Sequence, residues 1–166
     1  AATILQLISL VFLIVIYRQA STQLNWSWFL KLLLKFSLLA YGFKIIIQIA
    51  SAFPFIVEKS LALKPFFIIG YLHLFTLAFM SILLFLILDK LGKLKLKTKF
   101  SKIGMTSVLL GILSSEVVLF LQGYLLLVGA NSIANYSFYM IVSSGFIVLG
   151  LLMVFASQFF KKPSTY

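Results

Sequence analysis

The chain has 166 residues, of which 63% are hydrophobic and 10% charged, with a mean hydropathy of +1.16. A soluble domain carries about a quarter charged residues, and one core of this size could not bury so much apolar surface, so a water-soluble fold is excluded. The net charge of +11 comes from 14 lysines and arginines against Glu58, Asp89 and Glu116. Because the basic residues flank apolar runs, they point to anionic headgroups rather than to nucleic acid.

Five apolar stretches follow in chain order, each read as a helix crossing a hydrocarbon core of ~30 Å. They cover about 3–17, 28–53, 66–88, 103–129 and 136–160, with Pro54, Pro65 and Gly129 marking three of the boundaries. The expected fold is one all-α polytopic transmembrane bundle. The first stretch is short and has no basic leader, so the chain is expected to be part of a longer one. Residues 18–31, 89–102 and the C-terminus then share one side, with Arg18, Lys31, Lys35, Lys90, Lys161 and Lys162 on it. The opposite side offers Lys59 and Lys64 beside Glu58. The positive-inside rule puts the lysine-rich side and the C-terminus in the cytoplasm, with the N-terminus outside, as in a bacterial-type inner membrane. The segment DKLGKLKLKTKFSK (89–102) alternates Lys and Leu. It reads either as a short strand or ribbon placing Lys93, Lys95, Lys97, Lys99 and Lys102 on acidic headgroups, or as a loop that only orients the bundle.

Polar residues inside the spans are functional candidates, because an ionisable group at the bilayer centre costs ~2.5–3.5 kcal/mol on insertion scales. In the second span Ser37, Tyr41, Lys44, Gln48 and Ser51 recur at helical spacing, forming a stripe expected to face protein or water. Lys44 lies ~14 Å from the outer end and His73, the only histidine, ~12 Å, so they fall at nearly one depth. Glu116 is the acid deep in the fourth span. Lys44 and Glu116 are read as an ion pair or, alternatively, as stations on a proton path. Gly104, Gly111, Ser115 and Gln122 form a stripe on the fourth span, and Tyr136, Ser143, Gly150 and Ser157 another on the fifth. Such small-residue faces let helix backbones approach closely. Asn131 and Asn135 are read as caps or turn residues.

The chain has no cysteine, no Walker A loop, no dinucleotide-binding glycine pattern, no HExxH and no Gly-x-Ser-x-Gly elbow. One histidine and two scattered glutamates cannot close a zinc site.

The segments YGFKIIIQIASAFP (41–54), IIGYLHLFTLAFMSILLF (69–86) and LSSEVVLFLQG (113–123) resemble the C-terminal half of bacterial membrane proteins similar to subunit I of the haem–copper oxidases. The resemblance covers roughly residues 36–125 and rests on Lys44, Gln48, Pro54, His73, Glu116 and Gln122. It implies that His73 ligates haem or copper. Where those oxidases carry a second haem-ligating histidine, two residues before His73, this chain has Tyr71, and their other histidines are absent.

Three functions follow as expectations. The first is a subunit resembling haem–copper oxidase subunit I, with a haem, metal or proton-linked role. The second is a non-catalytic subunit packing against other membrane subunits or an N-terminal part of the same chain. The third is a carrier of small solutes or ions.

Overall fold

The computed structural model describes residues 2–23, 26–51, 53 and 64–159. Glu58, Lys59, Lys161, Lys162 and the end of the fifth expected span at 160 lie outside the described residues, so the expectations placed on them stay with the sequence. Among the described residues every regular element is helical: α1 (Ala2–Gln23), α2 (Trp28–Ala50), α3 (Lys64–His73), a π-helical segment (Leu74–Ser81), α4 (Ile82–Lys90), α5 (Lys99–Leu127) and α6 (Tyr136–Phe159). The all-α membrane bundle expected from composition is what the chain forms. Four rods are long and apolar enough to span a bilayer: α2, α5, α6 and the continuous rod of α3, the π segment and α4, whose apolar span is Ile68–Lys90. In α1 the apolar stretch runs only over Ile4–Gln19.

Helix ends are set by local chemistry. At the start of α5, the Thr98 hydroxyl accepts from Ser101 N–H at 3.1 Å, satisfying one of the free amides of the first turn. Two helices end on a glycine with positive φ, Gly92 at 70° and Gly129 at 75°. In each case the glycine amide donates three residues back and the next amide five back. The pairs are Gly92 to Asp89 and Lys93 to Leu88 after α4, and Gly129 to Leu126 and Ala130 to Leu125 after α5. A Cβ at either glycine would be strained by ~1–2 kcal/mol in this left-handed conformation. Asn135, at φ 57°, makes the corresponding turn into α6, where its carbonyl accepts from the Phe138 and Tyr139 amides.

The rods run alternately up and down. Ser37 meets Phe79 and Gln48 meets Tyr71, so α2 opposes the third rod. Gly104 faces Gly150 and Gly111 faces Ser143, so α5 opposes α6. In turn α1 docks on α2, and the third rod touches both α2 and α5. A buried core of Leu30, Leu33, Ala78, Ile82, Leu96, Met105, Val108 and Ile112 joins the middle rods.

The 89–102 segment is neither strand nor ribbon. Its ends belong to α4 and α5, and residues 91–98 between them are a chain of turns whose alternation is met in another way: Leu96 is fully buried and Leu94 half-buried, while Lys93, Lys95, Lys97 and Lys99 are exposed. Two bonds fix it, from Leu96 N–H to Asp89 Oδ1 at 2.8 Å and from Lys95 N–H to Gln158 Oε1 at 2.9 Å. Asp89→Ala is expected to cost about 1–3 kcal/mol, the worth of a hydrogen bond to a charged acceptor plus an orphaned amide. Thermal unfolding in detergent would show it as a lowered midpoint, with Asp89→Asn losing less because it keeps an acceptor.

Candidate functional site

The inward stripe of α2 begins at the lysine-rich end. The Ser37 hydroxyl donates to the Phe79 carbonyl at 3.1 Å, tying α2 to the π segment. One turn on, the Tyr41 ring stacks on Phe79 at 4.4 Å between centroids and lies tilted against Phe75 at 6.4 Å. Ser37, Tyr41 and Lys44 are buried and Gln48 half-buried. Ser51 departs from the expected stripe: it is exposed, and its hydroxyl donates to the Gln48 carbonyl as α2 ends.

Lys44 is only 2% exposed. Its ammonium donates to Gln6 Oε1 and to Gln48 Oε1, both at 2.8 Å. It also lies 5.0 Å from the Tyr71 ring centroid, 5.3 Å from that of Phe75 and 6.0 Å from that of Tyr41. Tyr71 Oη closes the group by donating to Gln48 Oε1 at 3.3 Å. A desolvated cation over aromatic faces gains up to ~2 kcal/mol, which offsets part of the cost of burying it. Lys44 is thus held by amide oxygens and ring faces from α1, α2 and the third rod.

Glu116 projects from α5 on another face of that rod. Its Oε1 lies 3.9 Å from His73 Nδ1. Neither Glu116 oxygen nor His73 Nδ1 has a hydrogen-bond partner, although all three atoms are buried. Gly70 admits this approach, since a Cβ there would stand 3.2 Å from Phe120 Cζ and 3.6 Å from Glu116 Oε2. The π segment begins at the residue after His73, and Ser81 Oγ donates to the Thr76 carbonyl five residues back, in the π register. Stretches of π-helix are frequent at functional sites.

The expected Lys44–Glu116 ion pair is therefore corrected. Lys44 contacts the face of the third rod that carries Tyr71 and Phe75, whereas His73, two residues from each, is turned ~200° away toward α5. The third rod stands between cation and acid: Lys44 is hydrogen-bonded to Gln6 and Gln48 on one side, while Glu116 lies 3.9 Å from His73 Nδ1 without a hydrogen bond on the other.

Gln122 is buried and accepts from Ile133 N–H at 2.8 Å, which pins the α5–α6 connection. Its role in this structure is that of a tether. The small residues Gly104, Gly111, Ser115, Ser143, Gly150 and Ser157 are all buried, with Gly104 against Gly150 and Gly111 against Ser143 where α5 and α6 face each other. Sequence reasoning does not reach Gln6 and Tyr71 as partners of Lys44. The one signal for them is Gln6, a lone amide early in an apolar run, and that is the pattern of a polar residue held by a neighbouring helix.

Among the described residues no three His, Cys, Asp or Glu side chains gather to hold a metal ion. His73 and Glu116 do not make a closed metal cage. At 3.9 Å the approach of His73 Nδ1 to Glu116 Oε1 is wider than a hydrogen bond, so the carboxyl does not fix the ring as the outer contact of a metal-bound histidine would. Comparison with family models, with curated proteins and with solved structures finds no match to this chain.

Proposed function

We propose that this chain is an integral membrane subunit in which His73 and Glu116 pass protons within the bilayer, as part of an assembly similar to subunit I of the haem–copper oxidases. One observation carries this reading: a buried carboxyl and a buried imidazole nitrogen, neither hydrogen-bonded, face each other at 3.9 Å between two membrane-spanning rods. A purely structural pair would be expected to close its hydrogen bond, since a buried unpartnered polar group costs about 1–3 kcal/mol. Here the gap exceeds the ~2.6–3.2 Å of proton transfer by little, and a small swing of either side chain closes it. About a third of the His73 side chain is exposed, so the ring can meet Glu116 on one edge and an outside donor, or a haem iron, on the other. A haem bound there would supply electron transfer, and the pair would move the compensating proton. Lys44 lies on the far face of the same rod, bonded to Gln6 and Gln48.

In this reading the protein lies in a bacterial-type inner membrane, lysine-rich end toward the cytoplasm, among anionic headgroups and further membrane subunits.

The test is proton flux into vesicles carrying the protein and a trapped pH-sensitive dye, driven by a potassium-diffusion potential. Wild type is expected to exceed protein-free vesicles by at least about tenfold, and Glu116→Gln and His73→Gln to fall to background with helical content and particle size unchanged. Flux that survives Glu116→Gln would remove the proposal. Wild-type flux at background would leave the packing reading, in which the chain is a structural subunit.

A further inference from the structure

We infer that the chain carries a dedicated site for one anionic phospholipid, in the groove where the start of α2 meets α5 and α6. The groove holds about 370 Å³ and is lined by Phe29, Lys102, Ile103, Thr106, Leu110 and Phe146, together with Ser107. Its hydroxyls are already used. Thr106 Oγ1 donates to the Lys102 carbonyl and Ser107 Oγ to the Phe146 carbonyl, both at 2.9 Å. The walls therefore present hydrocarbon: Ile103, Leu110 and Phe146 are each about half exposed along it. The groove follows α5 from residue 102 to residue 110, a rise of ~12 Å, so it runs along the helix as an acyl chain would.

Charge selects the occupant. Lys102 stands in the first turn of α5 at one end of the groove. The exposed Lys93, Lys95 and Lys97 precede it in the adjoining connection, and Lys99 opens the helix. Among the described residues no acidic side chain lines the groove. A lysine is a point-charge partner for phosphate, and a basic pocket between transmembrane helices with an apolar trench beneath it matches a phospholipid whose head carries net negative charge. A zwitterionic lipid would fill the same trench without the electrostatic gain. This goes beyond a general attraction of basic loops for acidic membranes, because the site is placed at Lys102 and the groove rather than at the loop lysines.

The test puts a reporter in the groove. Trp26 and Trp28 are the only tryptophans, so Trp26→Phe and Trp28→Phe give a silent background in which Phe146→Trp lines the site. The protein is reconstituted in phosphatidylcholine vesicles containing about 10 mol% of either acyl-brominated phosphatidylglycerol or acyl-brominated phosphatidylcholine, and quenching is compared. The expected result is about a fivefold preference for the anionic lipid, the worth of one lysine at the membrane surface. Lys102→Gln should bring the two lipids to parity. Thr106→Phe, which fills the trench and keeps the charge, should reduce quenching by both. Lys93→Gln with Lys95→Gln should leave the preference in place. Parity in the parent protein overturns the inference, as does a preference that survives Lys102→Gln or is lost in the loop variant. Circular dichroism on each variant establishes that the bundle is intact.

Discussion

Gly150→Val is expected to undo the docking of α6 on α5, one of the two largest stability losses foreseen for single substitutions in this chain. A Cβ at residue 150 would stand 2.5 Å from the Gly104 carbonyl oxygen, 2.7 Å from Val108 Cγ2 and 2.8 Å from the Val108 amide nitrogen. Two of those atoms are backbone, so relief requires the helices to part. The reciprocal position is equally tight, a Cβ at Gly104 falling 2.7 Å from the Gly150 carbonyl oxygen. In a bilayer helix association rests on close van der Waals packing rather than on exclusion of water, so separation forfeits most of what holds α6. Overpacking typically costs ~1–3 kcal/mol, and a clash with backbone atoms on both helices puts this one at about 3 kcal/mol. Thermal unfolding in mild detergent should show it, together with loss of a disulfide introduced between the two helices at positions in contact in the parent. Gly145→Ala is the control: nothing lies within 4 Å of the place its new methyl would take, and the exchange should be neutral or gain up to ~1 kcal/mol from helix propensity.

Lys44 supplies the second large effect, and two variants separate its causes. Lys44→Ala opens space among Tyr41, Tyr71 and Phe75 and leaves Gln6 Oε1 without the donor it has now. The cavity and the orphaned acceptor together predict a loss of about 2–4 kcal/mol. Lys44→Met keeps most of the volume and removes the charge. It sheds an insertion penalty of ~2.5–3.5 kcal/mol while giving up two hydrogen bonds and the ring contacts, so stability should stay within about 1 kcal/mol of wild type. Unfolding in nanodiscs compares the two directly. If Met proves as damaging as Ala, the ammonium itself holds α1, α2 and the third rod together. If Met is tolerated for stability but lowers proton flux, the charge serves the His73–Glu116 site from across the rod.

Much of the bundle is legible in the sequence because its signals are local. Gly129, a boundary in the sequence, ends a helix through a conformation that glycine adopts freely; Gly92 and Thr98 act through equally local chemistry, although the expected spans stop at 88 and start at 103. The heptad spacing of Ser143, Gly150 and Ser157 follows directly from helical geometry, and so does the inward run from Ser37 to Gln48. Rotation of one helix about another is not legible. Depth can be counted from a helix end, which places Lys44, His73 and Glu116 near one level, but facing depends on contacts far apart in sequence. Depth alone therefore pairs Glu116 with Lys44, whereas Gln6, Gln48 and three rings surround the lysine. The π segment is equally hidden. LFTLAFMS contains no proline or glycine, and its widened turns depend on what packs against it. The Lys/Leu alternation of 93–97 misleads for a related reason: period two signals one buried and one solvated side, and a well-anchored loop can meet that demand as a strand does.

The eight π-helical residues have a mechanical consequence. Each turn there holds more residues than an α-turn, so angular phase is reset between α3 and α4. The His73 end of the rod and the Ile82–Leu86 end, which is locked into the core, are two keys cut at independent angles on one shaft. The change of pitch thus sets the angle of the one imidazole in the chain separately from the angle at which the same rod enters the core.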